Sequence, residues 1–275
     1  MGMSALLAEA TRLVTMFQDK EKGIKDAVAA AVSAVPVMSK IYYVNAIAGD
    51  DATGLGDRLK PFKTIAKAVN AIPYGGGGYI RLFGHEHVID SLIFIISKNI
   101  TIAMAEGETV MPILRNVCIP ANGADGSGNL DNSTTGFMMD SSTVVLDNLR
   151  IRTANYTKPE STTNNVYTGL FRRYDRPLGM IHLSRCEVEL GDTSLSRHTI
   201  NGQTGIVSLY SNKISRVGPV VKNTPLIETA GTPIILSAQN NTLPAGAKWS
   251  GDYLTGVVFD SNGAPRSVVS NLVLG

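Results

Sequence analysis

Leu146-Asp-Asn-Leu149-Arg-Ile151, Leu183-Ser-Arg-Cys186-Glu-Val188, Leu209-Tyr-Ser-Asn212-Lys-Ile214 and Leu236-Ser-Ala-Gln239-Asn-Asn241 share one form: apolar, two spacers, then an apolar, Cys or amide residue, a spacer and a final apolar position, which the last copy lacks. Their first residues lie 37, 26 and 27 positions apart, and Lys98-Asn-Ile100-Thr-Ile102 is an earlier relative. Around them, from Ile41 onward, the chain is rich in Asn, Thr, Ser, Gly, Val and Ile, in short alternating runs divided by turn residues. Alternation with period two is strand patterning. A β texture repeating every twenty-odd residues implies one coil per repeat, each burying its inward side chains on the coil below.

These features predict an all-β chain, a right-handed parallel β-helix with an N-terminal α-helix and a short capping helix. Leucine-rich repeats share the period, but nothing between the strands looks helical and their fixed consensus is absent. With ~25 residues per coil and strands ~4.8 Å apart, roughly six coils fit between Tyr79 and Gly246, a stub about 30 Å tall. Asn212, Gln239 and Asn99 are expected near one inner corner as a partial amide stack. The ends of such a stub expose strand edges that need covering. The segment Pro61 to Ile72, with Phe62, Ile65, Ala66, Val69 and Ile72 on one face, reads as a helix stopped by Pro73-Tyr-Gly-Gly-Gly-Gly78 and placed to cap the first coil. Residues 247–275 hold Trp249 and show no repeat; they are expected to close the other end or to pair with other subunits.

Residues 4–35 differ in kind. Leu6, Ala10, Leu13, Phe17, Ile24, Ala27, Ala31 and Ala34 recur at threes, fours and their multiples, with Lys20 intruding, so one helix is expected, capped by Ser4, ended by Pro36 and kinked or broken at Gly23. An Ala-rich stripe cannot be buried by a lone helix. Docking on the chain's own body, self-association in a bundle and docking on a larger assembly would each cover it. The expected divisions are 1–38 for attachment or trimerisation, 39–78 leading into the β-helix, 79–246 the β-helix itself and 247–275 the closing segment.

Composition narrows the partners. The 275 residues carry 25 Lys and Arg against 23 Asp and Glu, and only 17% are charged, which leaves no field to hold nucleic acid or an anionic membrane surface. The longest nearly apolar run, Leu92 to Ile96, is far short of the ~20 residues that span a bilayer, so a soluble chain without membrane insertion is expected. Glu9 and Arg12 interrupt what would be the apolar core of a secretory signal. Cys118 and Cys186, both among apolar neighbours, are expected as buried free thiols.

Tyr43-Val-Asn-Ala-Ile-Ala-Gly-Asp-Asp-Ala-Thr-Gly54 followed by Pro61-Phe-Lys-Thr-Ile-Ala-Lys-Ala-Val69 resembles the motif that opens the β-helix of bacteriophage tail spikes and tail fibres of the pectate-lyase-like superfamily. That motif runs Tyr-Val-(Asp or Asn), a Gly-Ser-Asp-type turn, then Pro-Phe-x-Thr-Ile-x-x-Ala; Leu55-Gly-Asp-Arg-Leu-Lys60 stands where the family often has a shorter turn. The resemblance implies a homotrimer in the virion, joined to other virion proteins through the N-terminal helix. Its β-helix or tip would meet a host-surface glycan or outer-membrane receptor. A structural tail-fibre or tail-spike protein, made in the host cytoplasm and without a cofactor, is therefore expected. The same motif also heads capsular polysaccharide depolymerases, hydrolases or lyases, and fittings such as head-decoration or fibre-adaptor proteins.

Three groups of residues are candidates for chemistry. Glycoside hydrolysis needs two carboxylates at ~5–9 Å, and Glu187 and Glu189 should project from one strand face about 7 Å apart, with His182 earlier on that strand and Glu160 and Asp175 in the neighbouring insertion. That insertion explains the 37-residue spacing, and its Tyr156, Tyr167, Arg172, Arg173, Tyr174 and Arg176 combine flat rings with planar donors suited to sugars or protein. His85-Glu-His87 would put two imidazoles on one side of a strand, a partial metal site that a threefold axis could complete. A solvated strand face, a loop packed between subunits and ordinary histidines are the respective structural readings.

Overall fold

The structure is a computed structural model and describes residues 2–34, 39–119, 133–156, 169–173, 179–198, 204–217, 224–229 and 232–274. The chain divides into two compact units, Met1–Val37 and Met38–Gly275.

The first unit is one α-helix, Met3–Ala34, which runs through Gly23 without a break. A single glycine costs a helix only ~1 kcal/mol, too little to interrupt so long a run. Its described side chains are exposed, including Leu13, Phe17 and Ile24 of the apolar stripe.

The second unit is mostly β, with parallel sheets. Across the first sheet lie Ser39–Val44, Gly77–Leu82, Asn99–Met104, Ser142–Asp147, Gly179–Ser184, Gly205–Tyr210, Ile234–Gln239 and Val268–Ser270. The second contains Glu86–Ile89, Ile113–Asn116, Arg150–Arg152, Glu187–Leu190 and Lys213–Arg216. The third contains Leu92–Ile96, Gly136–Asp140, Phe171–Arg173, Ser196–Arg197, Ile227–Glu228 and Leu254–Thr255. From Gly77 to Glu228 the chain visits first, second and third sheet in that order and returns to the first, each visit adding a parallel strand beside the last. Cys118–Ile119 and Ser133–Thr134 form a separate antiparallel pair.

Inward side chains align from strand to strand. Tyr42, Ile80, Ile102, Leu146, Leu183, Leu209 and Ala238 are partners in register along the first sheet and are all buried. The fourth repeat therefore sits two residues later than its sequence alignment, with Ala238 rather than Leu236 beside Leu209. A slip of two leaves every side chain on the same face, so alternation alone could not reveal it. Gln239 consequently faces Tyr210 on the exposed side, and Asn99 pairs with Gly77 and Thr143 at the start of a strand.

Asn212 does occupy the inner corner, with Asn241 and Asn271 in place of Gln239 and Asn99. Asn212 accepts from the Cys186 N–H at 2.9 Å and donates to the Leu183 carbonyl at 3.1 Å and to Asn241 Oδ1 at 2.9 Å. Asn241 donates to the Leu209 carbonyl, and Asn271 brackets both backbone groups of Ala238. Ahead of this corner one residue turns the chain: Asn148, Arg185, Ser211 and Asn240 all have φ of 53–55°. That left-handed conformation costs a non-glycine residue ~1–2 kcal/mol. In the first three its N–H is aimed at the next strand's carbonyl, at 3.0 Å in each case, which offsets part of the cost.

The lead-in segment explains its own residues. Asp50 accepts from the N–H groups of Ala52 and Thr53, while Asp51 accepts from the N–H groups of Lys63 and Thr64 and from the Thr64 hydroxyl at 2.6 Å. Gly54 lies so close to the Asp50 carbonyl that a Cβ would approach it to 2.1 Å. The capping helix is shorter than expected, Ile65–Ala71, because Thr64 is its N-cap and Phe62 stays extended, bridging to Val44 and stacking on Tyr42 at 5.8 Å. Ile65, Ala68 and Val69 form its buried face. The C-terminal residues add strands: Val268–Ser270 extends the first sheet, and Tyr253 is fully buried beneath the Arg216 guanidinium, 4.6 Å from its ring centre.

Candidate functional site: two outward faces

The second sheet turns a charged face outward. In register across it lie Glu86, Ile113, Arg150, Glu187 and Lys213, and beside them Val88, Arg115, Arg152, Glu189 and Ser215. Glu187 meets Arg150 at 2.8 Å, and Glu189 meets Arg152 at 2.7 Å and Arg150 at 3.7 Å. Arg115, adjacent to Arg152 in its row, turns instead to Glu86 at 2.5 Å. Opposite charges opposed across strands stabilise a sheet modestly. The two glutamates do project from one face, as their spacing predicts, yet both are engaged as acceptors by arginines. A glycosidase acid must instead present a proton to its substrate.

The first sheet turns a very different face outward. One row across it is Ser39, Gly77, Asn99, Thr143, Met180, Ile206, Ile235 and Val269; the next is Ile41, Tyr79, Thr101, Val145, His182, Ser208 and Ser237. Neither row contains Lys, Arg, Asp or Glu. Ile41, Tyr79, Ile206, Ile235 and Val269 are exposed, the last to 71%. Gly77, Tyr79, Asn99, Thr101, Thr143 and Val145 line a shallow groove of about 250 Å³ at one end.

A third row borders this face and brings charge with it. Asp147 pairs with Arg185 at 2.6 Å through Oδ2, and Arg81 pairs with Glu106 at 3.0 Å. Asp147 Oδ1 and His182 Nδ1 are buried atoms without a hydrogen-bond partner among the described residues. Burial holds the His182 imidazole below its ordinary value, against the opposing pull of Asp147.

The remaining candidates are dispersed. His87 is buried, its Nε2 donating to the Phe83 carbonyl at 2.9 Å, and burial lowers its pKa; His85 precedes the strand, so the two imidazoles do not share an outward face. Strand alternation begins only at Glu86, which is why the spacing misled. Among the described residues no three His, Cys, Asp or Glu side chains could hold a metal ion. Arg172 is 5% exposed and donates to the Thr134 carbonyl, so it braces the third sheet rather than standing as a surface anchor. Tyr156 is partly buried, its N–H bonded to the Asp192 carboxylate at 3.0 Å. Arg173 ends the strand Phe171–Arg173. Tyr167, Tyr174, Arg176, Glu160 and Asp175 lie outside the described residues. Cys118 and Cys186 form no disulfide; Cys186 is buried, its thiol pushed up to about 12 by desolvation, whereas Cys118 is only partly covered.

Sequence reasoning missed the uncharged face. Its signal was present in the outward positions of successive first-sheet strands, where Thr, Ser and aliphatic residues recur, but finding it requires the register.

No family model matches the chain, and no curated protein matches it. Among solved structures a rhamnogalacturonan lyase is similar at a TM-score of 0.38 and 12% identity, over 84% of this chain and 66% of the lyase chain, so this chain spans just under two thirds of the lyase's length.

Proposed function

We propose that this chain is a structural contact protein of bacteriophage tail-fibre or tail-spike type, a right-handed parallel β-helix that associates as a homotrimer. The fixed order in which the chain visits three parallel sheets supports the β-helix. The lead-in segment, with its Asp50 and Asp51 turns and Thr64 cap, supports the tail-spike likeness. The N-terminal helix, with its exposed apolar stripe, joins the protein to other virion parts, and the insertion between the second and third sheets serves contact with a host glycan or receptor.

The observation that carries a contact role over a catalytic one is the pairing of Glu187 and Glu189 with Arg150 and Arg152. These carboxylates fasten neighbouring strands. Antibody labelling of intact particles, viewed by electron microscopy, tests the placement: label on fibres or spikes supports it, label on the head favours an adaptor, and unlabelled particles overturn it. Incubation with host capsular polysaccharide tests the chemistry. Release of oligosaccharides by the wild type that Glu187→Gln with Glu189→Gln abolishes would make the protein a depolymerase.

A further inference from the structure

We infer that the outward face of the first sheet is the surface through which copies of this chain bind one another. The inference rests on the trimer reading above and assigns its contact surface. One uncharged row extends over all eight strands of that sheet and the other over seven, while the second sheet's outward rows are dominated by charge. Depletion of charge with retention of Tyr, Met and aliphatic side chains is the composition of interface centres, not of ordinary solvated surface. Tyr79, Met180, Ile206, Ile235 and Val269 are those side chains here.

Size agrees. Seven six-residue strands and the three-residue Val268–Ser270, ~4.8 Å apart and rising ~3.3 Å per residue, give a face of roughly 700 Å² with the bordering row included, close to the ~800 Å² that each partner contributes to a standard interface.

A second copy is the partner that fits. Around a threefold axis this face of each copy meets other parts of the same face on its two neighbours, so a charge-free patch avoids like-charge repulsion, whereas a distinct protein partner is usually steered by complementary charge. The bordering row supplies the polar rim. There the Asp147–Arg185 and Arg81–Glu106 pairs edge the uncharged rows with charge.

The test is light scattering on the full chain. Wild type and Val88→Lys, a substitution at an exposed position of the second sheet's face, are both expected at three times 29.3 kDa. Ile206→Lys with Ile235→Lys is expected at 29.3 kDa with an unchanged β-sheet circular dichroism spectrum. If that double variant does not fold, Val269→Lys, at the most exposed large apolar side chain of the two rows, is measured in its place and is expected to weaken assembly at least tenfold. A folded variant that keeps the threefold mass overturns the inference and leaves the trimer reading intact. A variant that keeps that mass but no longer adsorbs to host cells shows that the face meets the host, which also overturns it. A monomeric wild type overturns both.

Discussion

The outward faces of the first and second sheets are made by the same backbone pattern, strand beside parallel strand, yet they solve opposite problems. On the second sheet Glu86, Arg115, Arg150, Arg152, Glu187, Glu189 and Lys213 interleave signs across strands and remain partly hydrated. On the first sheet two whole rows hold no formal charge, and isoleucine, valine and tyrosine lie open to solvent in the single chain. Solvation can account for the first arrangement but offers no reason for the second. Exposed apolar patches that continue across many strands mark surfaces meant to be covered.

The largest effect is expected at the corner where the two sheets join. Asn212→Ala strips partners from the Cys186 N–H, the Leu183 carbonyl and Asn241 together, and buried polar groups left unmet cost ~1–3 kcal/mol each. Urea unfolding is expected to show a loss of about 3 kcal/mol. A loss below about 1 kcal/mol would mean that water replaces the amide and that the ladder is not what holds the corner.

A smaller effect is expected from the turning residue itself. Ser211 has φ of 55°, so Ser211→Val should destabilise relative to Ser211→Gly by about 2 kcal/mol, because a β-branched side chain is least tolerated there. Equal stabilities would show that the corner relaxes out of the left-handed region.

Acidity separates interior from surface. Burial lowers the folded-state pKa of His87, so the folded protein binds fewer protons than the unfolded chain, whose imidazole titrates near ~6.5. Stability is then full above that value and falls as pH drops through it. The urea midpoint of the wild type should decrease between pH 7.5 and pH 5.5, and His87→Gln should flatten the decrease. His182, shifted in the same direction, leaves a residual slope. An unchanged slope in the variant would contradict this assignment.

The least effect belongs to the charged face. Glu187→Gln with Glu189→Gln should cost about 1 kcal/mol or less at low salt, and less still at high salt, as partly exposed ion pairs do. A larger, salt-independent loss would give that face more than the role of a solvated ladder.

Much of this architecture was legible in the residues. The apolar anchors Leu146, Leu183 and Leu209 do stack, Ile151, Val188 and Ile214 follow them on the second sheet, and the short helix ends just before Pro73, although it starts after Thr64 rather than at Pro61. What escaped was whatever depends on register across strands. Period-two patterning cannot distinguish Leu236 from Ala238 as the partner of Leu209, nor Gln239 from Asn241 as the corner amide. The candidate site suffered more. Glu187 and Glu189 were correctly placed on an outward face, but their arginines lie 37 residues away along the chain, a separation that only strand pairing closes.

Light scattering on the wild type at about 0.05 M and about 1 M NaCl distinguishes the two faces as the contact surface, because salt at these levels screens contacts between charges but not contacts between apolar side chains. The expected mass is three times 29.3 kDa at both concentrations, since the uncharged face holds the copies together. Dissociation at the higher salt would assign the contact to the charged face, and 29.3 kDa at both would leave the uncharged rows without a partner of their own kind.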